Sequence, residues 1–385
     1  MTVAAFMDLA LYHPALGYYA RAAQRSGRAG DFFTSVDVGP LFGDLLEIQI
    51  AEMADLLQST TGNPQLLVDL VEAGAGNGRL SADILRSARK RHPGLFDRLR
   101  LHLVEASAEA RRAHRATLGD LTPRLLSSTD SLPDSFEGIV VANELLDALP
   151  VHQVVMREDG LREIYVQAVD SDQSADHSHT WTVGSNQSTS DGRLTTEDRR
   201  LTTVEGPLST PALADYLSRL GVVLECGWRV EINLRAVAWI RQAARQLRRG
   251  FIILVDYGHE ANVLYSASHA NGTLTTYAAH TMAGPEAKAP AWLERPGDQD
   301  LTAHVDFTSV REAAESEGFV TLGFLDQTYF VLGLVHDRLE DVGERLALKT
   351  LMMPGGLGST HKVLILGKNV GRPPLRGCSF GQRVT

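Results

Sequence analysis

The apolar positions of this 385-residue chain follow two rhythms. In the first sixty residues the rhythm is helical. Phe6-Met7-Asp8-Leu9-Ala10-Leu11-Tyr12 reads as a short helix halted at Pro14. Leu41, Phe42, Leu45, Leu46, Ile48, Met53 and Leu56 recur at helical spacing and predict a longer one. Between them, Arg25 to Ser35 reads as a glycine-containing loop. From Leu66 the texture changes. Leu66 to Val71, Leu101 to Glu105, Gly138 to Ala142, Phe251 to Asp256, Phe319 to Leu325 and His361 to Leu366 are short apolar-rich runs, predicted as buried strands. Helical patterns separate them over Leu80 to Arg91, Ser107 to Leu118, Val237 to Arg248 and Thr308 to Glu317, with a further one before the last strand. Strand and helix in alternation predict an α/β fold, a parallel sheet covered on both faces.

Two stretches break the alternation. Residues 168 to 200 are rich in Ser, Asp, Thr, Gln and Gly, and are expected to form a mobile loop. His177 and His179 lie in it, and a solvated loop accounts for them better than a metal pair. Residues 258 to 305, rich in Gly, Pro, His and Asp, are expected to be a functional insertion. The resulting organisation is an N-terminal helical segment over 1–60, the first half of an α/β domain over 61–150, and an insertion over 151–225. The core resumes over 226–257, is interrupted by an insertion over 258–305, ends over 306–370, and leaves a tail over 371–385.

Composition narrows the function classes. The formal charge of −10 at pH 7 repels phosphate backbones, so no nucleic-acid partner is expected; a basic partner fits better. The two cysteines, Cys226 and Cys378, offer neither zinc spacing nor a disulfide framework, which suits a reducing compartment. No run approaches the ~18 apolar residues of a membrane span, so no membrane partner is expected. The N-terminus has neither a signal-peptide core nor a transit-peptide balance, so a cytoplasmic chain that is complete at its start is expected.

The sharpest motif is Glu72-Ala73-Gly74-Ala75-Gly76-Asn77-Gly78-Arg79, at the turn from the first strand into the first helix. Glycines there permit a tight turn and close approach of a ligand. The spacing is Gly-x-Gly-x-Gly, not the Gly-x-Gly-x-x-Gly that delivers a helix N-terminus to a pyrophosphate. It suits S-adenosylmethionine, which carries no phosphate. Glu105 ends the second strand, where a carboxylate can accept both ribose hydroxyls. A second motif, Ala142-Asn143-Glu144-Leu145-Leu146-Asp147-Ala148-Leu149-Pro150, follows the strand at 138 to 142. An amide and two carboxylates there could grip a cationic nitrogen, with Glu144 orienting or deprotonating it. If Glu144 begins a helical turn, Asp147 shares its face. The alternative is that Asn143 and Asp147 cap a helix starting at this point. His280, Asp298, Asp300, His304 and Asp306 form a conceivable metal set, with hydrogen-bonded ordering of the insertion preferred and no metal expected.

Together these motifs resemble one family, the MidA-like group of class I methyltransferases, which includes mitochondrial complex I assembly factors that methylate arginine on a partner subunit. The resemblance spans nearly the whole chain. It is carried by Leu11-Tyr12-His13-Pro14 with Gly17-Tyr18-Tyr19, by Gly30-Asp31-Phe32-Phe33-Thr34-Ser35, by Phe42-Gly43, and by the two motifs above. Val255-Asp256-Tyr257-Gly258, Gly272-Thr273-Leu274 with Tyr277 and His280, and the block from Pro296 to Phe307 complete it. It implies a Rossmann-like class I methyltransferase sheet with an N-terminal helical segment and inserted substrate-binding segments. It implies that Gly74, Gly76 and Gly78 line the S-adenosylmethionine, with Glu72 and Asn77 in the same set, and that Glu105 holds the ribose. It places Asn143 and Glu144, with Asp147, near the methyl group as the catalytic set. Asp31, Thr34 and Ser35 would fold over the cofactor as a lid. Val36 and Asp37 depart from the family pattern, which has proline and glutamate there. The expected activity is methyl transfer to a protein, with arginine as acceptor and a homodimer left open. The alternatives are a non-catalytic cofactor-binding assembly factor and a nicotinamide-dependent oxidoreductase.

Overall fold

The computed structural model describes residues 1–22, 34–170, 181–188, 194–278, 281–283, 290–335, 341–381 and 384. Asp31, His177, His179 and His280 lie outside the described residues. The chain forms two compact units. One gathers Met1–Arg21, Ala148–Arg235 and Ala261–His304; the other gathers Ala22–Asp147, Ala236–Glu260 and Val305–Thr385.

The second unit is built on a mostly parallel sheet. Its main strands are β1 (Val68–Ala73), β2 (Leu99–Val104), β3 (Leu125–Thr129), β4 (Phe136–Asn143), β5 (Leu247–His259), β6 (Val320–Asp326) and β7 (His361–Lys368). They lie in the order β6-β7-β5-β4-β1-β2-β3. Neighbours from β5 through β3 are parallel, and β7 runs antiparallel to both β5 and β6. Val305–Asp306 pairs with the end of β5. Successive residues of β1 are all buried, so both faces of the sheet centre are covered. Leu46, Ile50, Met53 and Leu57 of the helix Leu41–Thr61 join Leu70, Ile139, Ile253 and Val363 of the strands in one core. Each such side chain contributes roughly 2 kcal/mol by leaving water. After β1 the chain moves outward to β2 and β3, then returns to the other side of β1 as β4. That reversal opens a crevice beyond the carboxyl ends of β1 and β4, the usual ligand position in such sheets.

The first unit is mainly antiparallel. Trp181–Ser188, Leu194–Gly206, Gly160–Asp170, His152–Arg157 and Arg229–Ile232 form a five-stranded sheet in that spatial order. Residues 181–188 and 194–200 therefore do not form the expected loop; they are strands, paired through backbone groups that polar side chains do not disturb. Thr2 caps the helix Val3–Tyr12 by accepting from the Ala5 amide, and Phe6 meets Trp292 with ring centroids 5.8 Å apart. In the same unit the Asp300 carboxylate accepts from the Tyr19 hydroxyl at 3.0 Å and the Leu301 amide at 2.9 Å. In the other unit, Asp306 caps the helix Phe307–Ser316 through Ser309. These two carboxylates of the conceivable metal set hold the chain in place.

Candidate active site

β1 ends at Ala73 and the chain turns through three glycines in left-handed backbone, Gly74 at φ 73°, Gly76 at 51° and Gly78 at 84°. L-residues occupy that region only at a cost of about 1–2 kcal/mol. The amides of Gly74 and Ala75 both donate to the Val104 carbonyl at the end of β2, and the Gly78 amide donates to Ala75. The turn is thus tied to the neighbouring strand. A methyl group at Gly78 would stand 3.1 Å from the Leu103 side chain, whereas one at Gly76 would meet no atom of the described residues within 4 Å. Among the described residues the backbone at Gly76 borders open space. Asn77 Oδ1 accepts from the Arg79 amide at the start of the helix Arg79–Arg91.

Glu105 follows β2 directly. Its Oε2 accepts from the Gly76 amide at 2.9 Å and its Oε1 from the Ser107 amide at 2.7 Å. The carboxylate is locked against the glycine turn, 29 residues away in sequence. Burial raises its pKa, opposed by those amide donors. Beneath the turn, His114 is fully buried, its Nε2 against the Gly76 carbonyl at 2.9 Å and its Nδ1 against Ser128. Burial lowers its pKa, favouring the neutral ring. Glu72 points elsewhere. Its Oε2 accepts from the amide and hydroxyl of Ser81, in the first turn of the helix Arg79–Arg91. Burial, reinforced by the negative charge of Glu105 and opposed by Ser81, pushes its pKa up to about 7. Its position is that of a brace for the turn.

The end of β4 shows no helix. Glu144 takes φ 50°, and the chain continues through bends and turns to Pro150, so Asn143 and Asp147 cap nothing and the expected helical turn is absent. Asp256, buried in β5, holds this turn. Its Oδ2 accepts from the amides of Leu145 at 3.1 Å and Leu146 at 2.7 Å, and the Asp147 amide also bonds to it. Burial first, then the nearby Glu144 charge, pushes the Asp256 pKa up to about 7 against these donors. Asp147 itself is buried at 4% exposure. The Glu144 amide donates to the Val255 carbonyl at 2.8 Å, which fixes its backbone across β5. Its Oε1 accepts from Asn143 Nδ2 at 3.1 Å and from the Ser35 amide at 3.3 Å, and lies 3.4 Å from His361 Nε2.

The turn Thr34–Asp37 adjoins both motifs. Asp37 Oδ2 accepts from the amide and hydroxyl of Thr34, and Oδ1 pairs with Arg79 at 3.2 Å. Arg79 also donates to the Val36 carbonyl. Ser35 is buried, its hydroxyl donating to Gln327 at 3.0 Å. Val36 and Asp37, the departures from the family pattern, still give the turn a closed internal structure. The structure thus brings Thr34, Ser35, Gly74, Gly76, Asn77, Gly78, Glu105, Asn143 and Glu144 into one unit around the carboxyl ends of β1, β2 and β4. Asp256 and His361 belong beside them, although the motifs alone assign them no role. Glu72, Glu105, Glu144 and Asp256 make the region acidic, which suits a cationic cofactor and a cationic acceptor.

Comparison with known proteins agrees with this geometry. Residues 45–325 match the family model described as "Putative S-adenosyl-L-methionine-dependent methyltransferase". The chain is 28% identical to the rat protein arginine methyltransferase NDUFAF7, mitochondrial, over 95% of its length and 76% of that protein. It is 27% identical to the Drosophila melanogaster homologue, over 83% of its length and 67% of that protein. A crystal structure from Burkholderia thailandensis bound to S-adenosyl-homocysteine aligns over the whole chain and 91% of that protein, with a TM-score of 0.80 at 27% identity. These findings correct the expected cytoplasmic location: these named relatives are mitochondrial proteins, and two cysteines with an unremarkable start cannot separate one reducing compartment from another. The glycine turn, the acid at the end of β2 and the family match lead to one conclusion: the chain belongs to the S-adenosyl-L-methionine-dependent methyltransferase family, and S-adenosyl-L-methionine is its cofactor.

Proposed function

We propose that this methyltransferase methylates an arginine side chain of a protein, with Asn143 and Glu144 as the residues that receive it. One observation carries the acceptor site. Among the described residues the hydrogen bonds to the Glu144 carboxylate fall on Oε1, from Asn143 and Ser35, which leaves Oε2 for an incoming donor. A guanidinium brings donors and positive charge to such an oxygen. The names of the relatives support a protein arginine acceptor.

The residues present fit the cofactor. Among the described residues Gly76 borders open space, and Glu105 is held rigid by two amides beside it, as an acceptor for ribose hydroxyls must be. Gly74, Gly78 and Asn77 would complete the cradle, with Glu72 bracing it from behind and Thr34 and Ser35 covering it. The bound cofactor supplies a methyl group already activated on a sulfonium. The chain then has to align the acceptor nitrogen, exclude water and accept a proton. Glu144 holds the nitrogen at Oε2, and Asn143 keeps that carboxylate oriented. Asp147 contributes through its backbone, by shaping the turn, and Asp256 fixes that turn.

Binding of S-adenosylhomocysteine, followed by calorimetry, should weaken about tenfold or more in E105A, the worth of a lost charge-assisted hydrogen bond. Unchanged affinity would remove Glu105 from the site. The acceptor is tested in extracts of cells lacking the protein, given the purified enzyme and tritiated S-adenosylmethionine. Label should appear as methylarginine in protein with the wild type and vanish with E144Q. Label in RNA, or in protein residues other than arginine, would overturn the acceptor. The charge of −10 supports a partner other than nucleic acid, and among the described residues no helix is long and apolar enough to cross a membrane. Sedimentation of the pure protein decides between monomer and homodimer.

A further inference from the structure

His361 opens β7, opposite Tyr257 of β5, and its side chain is wholly buried. The Tyr257 and His361 rings lie 3.9 Å apart between centroids. Nδ1 of His361 faces the Leu357 carbonyl at 3.1 Å and the Thr360 hydroxyl at 3.3 Å, whose own hydrogen goes to the Gly356 carbonyl at 2.7 Å. Both partners then accept, so Nδ1 carries a hydrogen. Among the described residues Nε2 has no hydrogen-bond partner, and it lies 3.4 Å from Glu144 Oε1. A bare ring nitrogen and a bare carboxylate oxygen, buried face to face, would be two lone pairs in opposition. The gap therefore needs one proton, held by the nitrogen or by the oxygen. Of the neighbouring charged residues described, Asp256 of β5 is bound to backbone amides and the Lys362 ammonium is engaged by Asp326 at 2.6 Å. Neither of those engaged groups takes over the role of Glu144.

We propose that His361 is the positioning residue for Glu144: its Nε2 holds Oε1, so that Oε2 is presented to the acceptor nitrogen. This rests on Glu144 meeting the acceptor. The acceptor nitrogen then gains its bond to the methyl carbon, and the carbon–sulfur electron pair stays on sulfur. The nitrogen's hydrogen leaves as a proton to Oε2. From there it returns to solvent when product leaves.

The test uses the full chain labelled with nitrogen-15 at its 13 histidines and saturated with S-adenosylhomocysteine. Long-range proton–nitrogen spectra over a pH series report each ring nitrogen, and H361Q identifies the His361 signals by their disappearance. The expected result is an Nδ1 that stays protonated throughout and an Nε2 that titrates. In E144Q the midpoint of that titration should fall by about one pH unit, because a neighbouring carboxylate favours the charged ring. An Nδ1 that titrates in place of Nε2, or a midpoint indifferent to E144Q, overturns the proposal. In the extract assay, H361Q should lower the turnover of methylarginine formation about tenfold or more, with S-adenosylmethionine affinity unchanged. Full turnover in H361Q beside a dead E144Q sinks the role of His361 alone, whereas an active E144Q sinks the acceptor site itself.

Discussion

Glu72 is 5% exposed and keeps its Ser81 partners, yet its pKa sits at about 7 against an ordinary 4.5. Between those two values the folded chain holds a proton that the unfolded chain has already lost. Its contribution is therefore fully present below about pH 4.5 and fades as pH rises through 7, opposite to the common case of a salt-bridged carboxylate. At most about 3 kcal/mol separates the two ends of that window. E72Q, which fixes the neutral state and can still accept from Ser81, should melt close to wild type at pH 5 and above it at pH 8. Calorimetric melts across that range check the sign, and an E72Q protein that loses stability faster than wild type with rising pH would contradict it. Asp256, also raised to about 7, keeps part of the decline in both proteins.

At the scale of elements, a four-residue turn links the two motifs. Asp37 closes Thr34–Asp37 on itself and pairs with Arg79, the first residue of the helix after the glycines, while the Ser35 amide reaches Glu144. D37A should loosen this turn without touching the sheet. S-adenosylhomocysteine affinity should fall severalfold, protease cleavage near residue 35 should accelerate, and the melting temperature should change little. Equal cleavage rates in both proteins would count against the linkage. The parallel strands were legible because burial on both faces writes continuous apolar runs such as Phe251 to Val255. β3 was missed: Leu125-Leu126-Ser127-Ser128-Thr129 is short and only partly buried. The sheet of the first unit was missed because strands such as Leu194–Gly206 carry polar residues throughout and no period of two. Of the site, the glycine turn and Glu105 could be read from local spacing. Asp256 and His361 could not, since only the pairing of β5 with β7 brings His361 opposite Tyr257 and next to Glu144.

Across the whole molecule, 47 acidic against 37 basic residues create a field that favours basic partners. Raising salt from about 0.05 to about 0.3 M shortens the screening length from roughly 14 to roughly 6 Å. Binding of an arginine-rich acceptor should weaken with that change, while binding of S-adenosylhomocysteine, buried and of low net charge, should hardly respond. Equal salt slopes for the two would mean that long-range charge does not guide the acceptor.

The place of β7 has its own consequence. Among the described residues it is the last strand, yet it lies between β5 and β6 and not at the rim of the sheet. While the ribosome is still making residues 361 to 368, the two strands that will flank it present raw, unpaired margins, the feature that draws other chains into aggregates. Closure of the sheet therefore resembles a zip fastened from the middle, once residues 361 to 368 have been made. The same strand brings His361 next to Glu144, so a chain stopped before it lacks that contact.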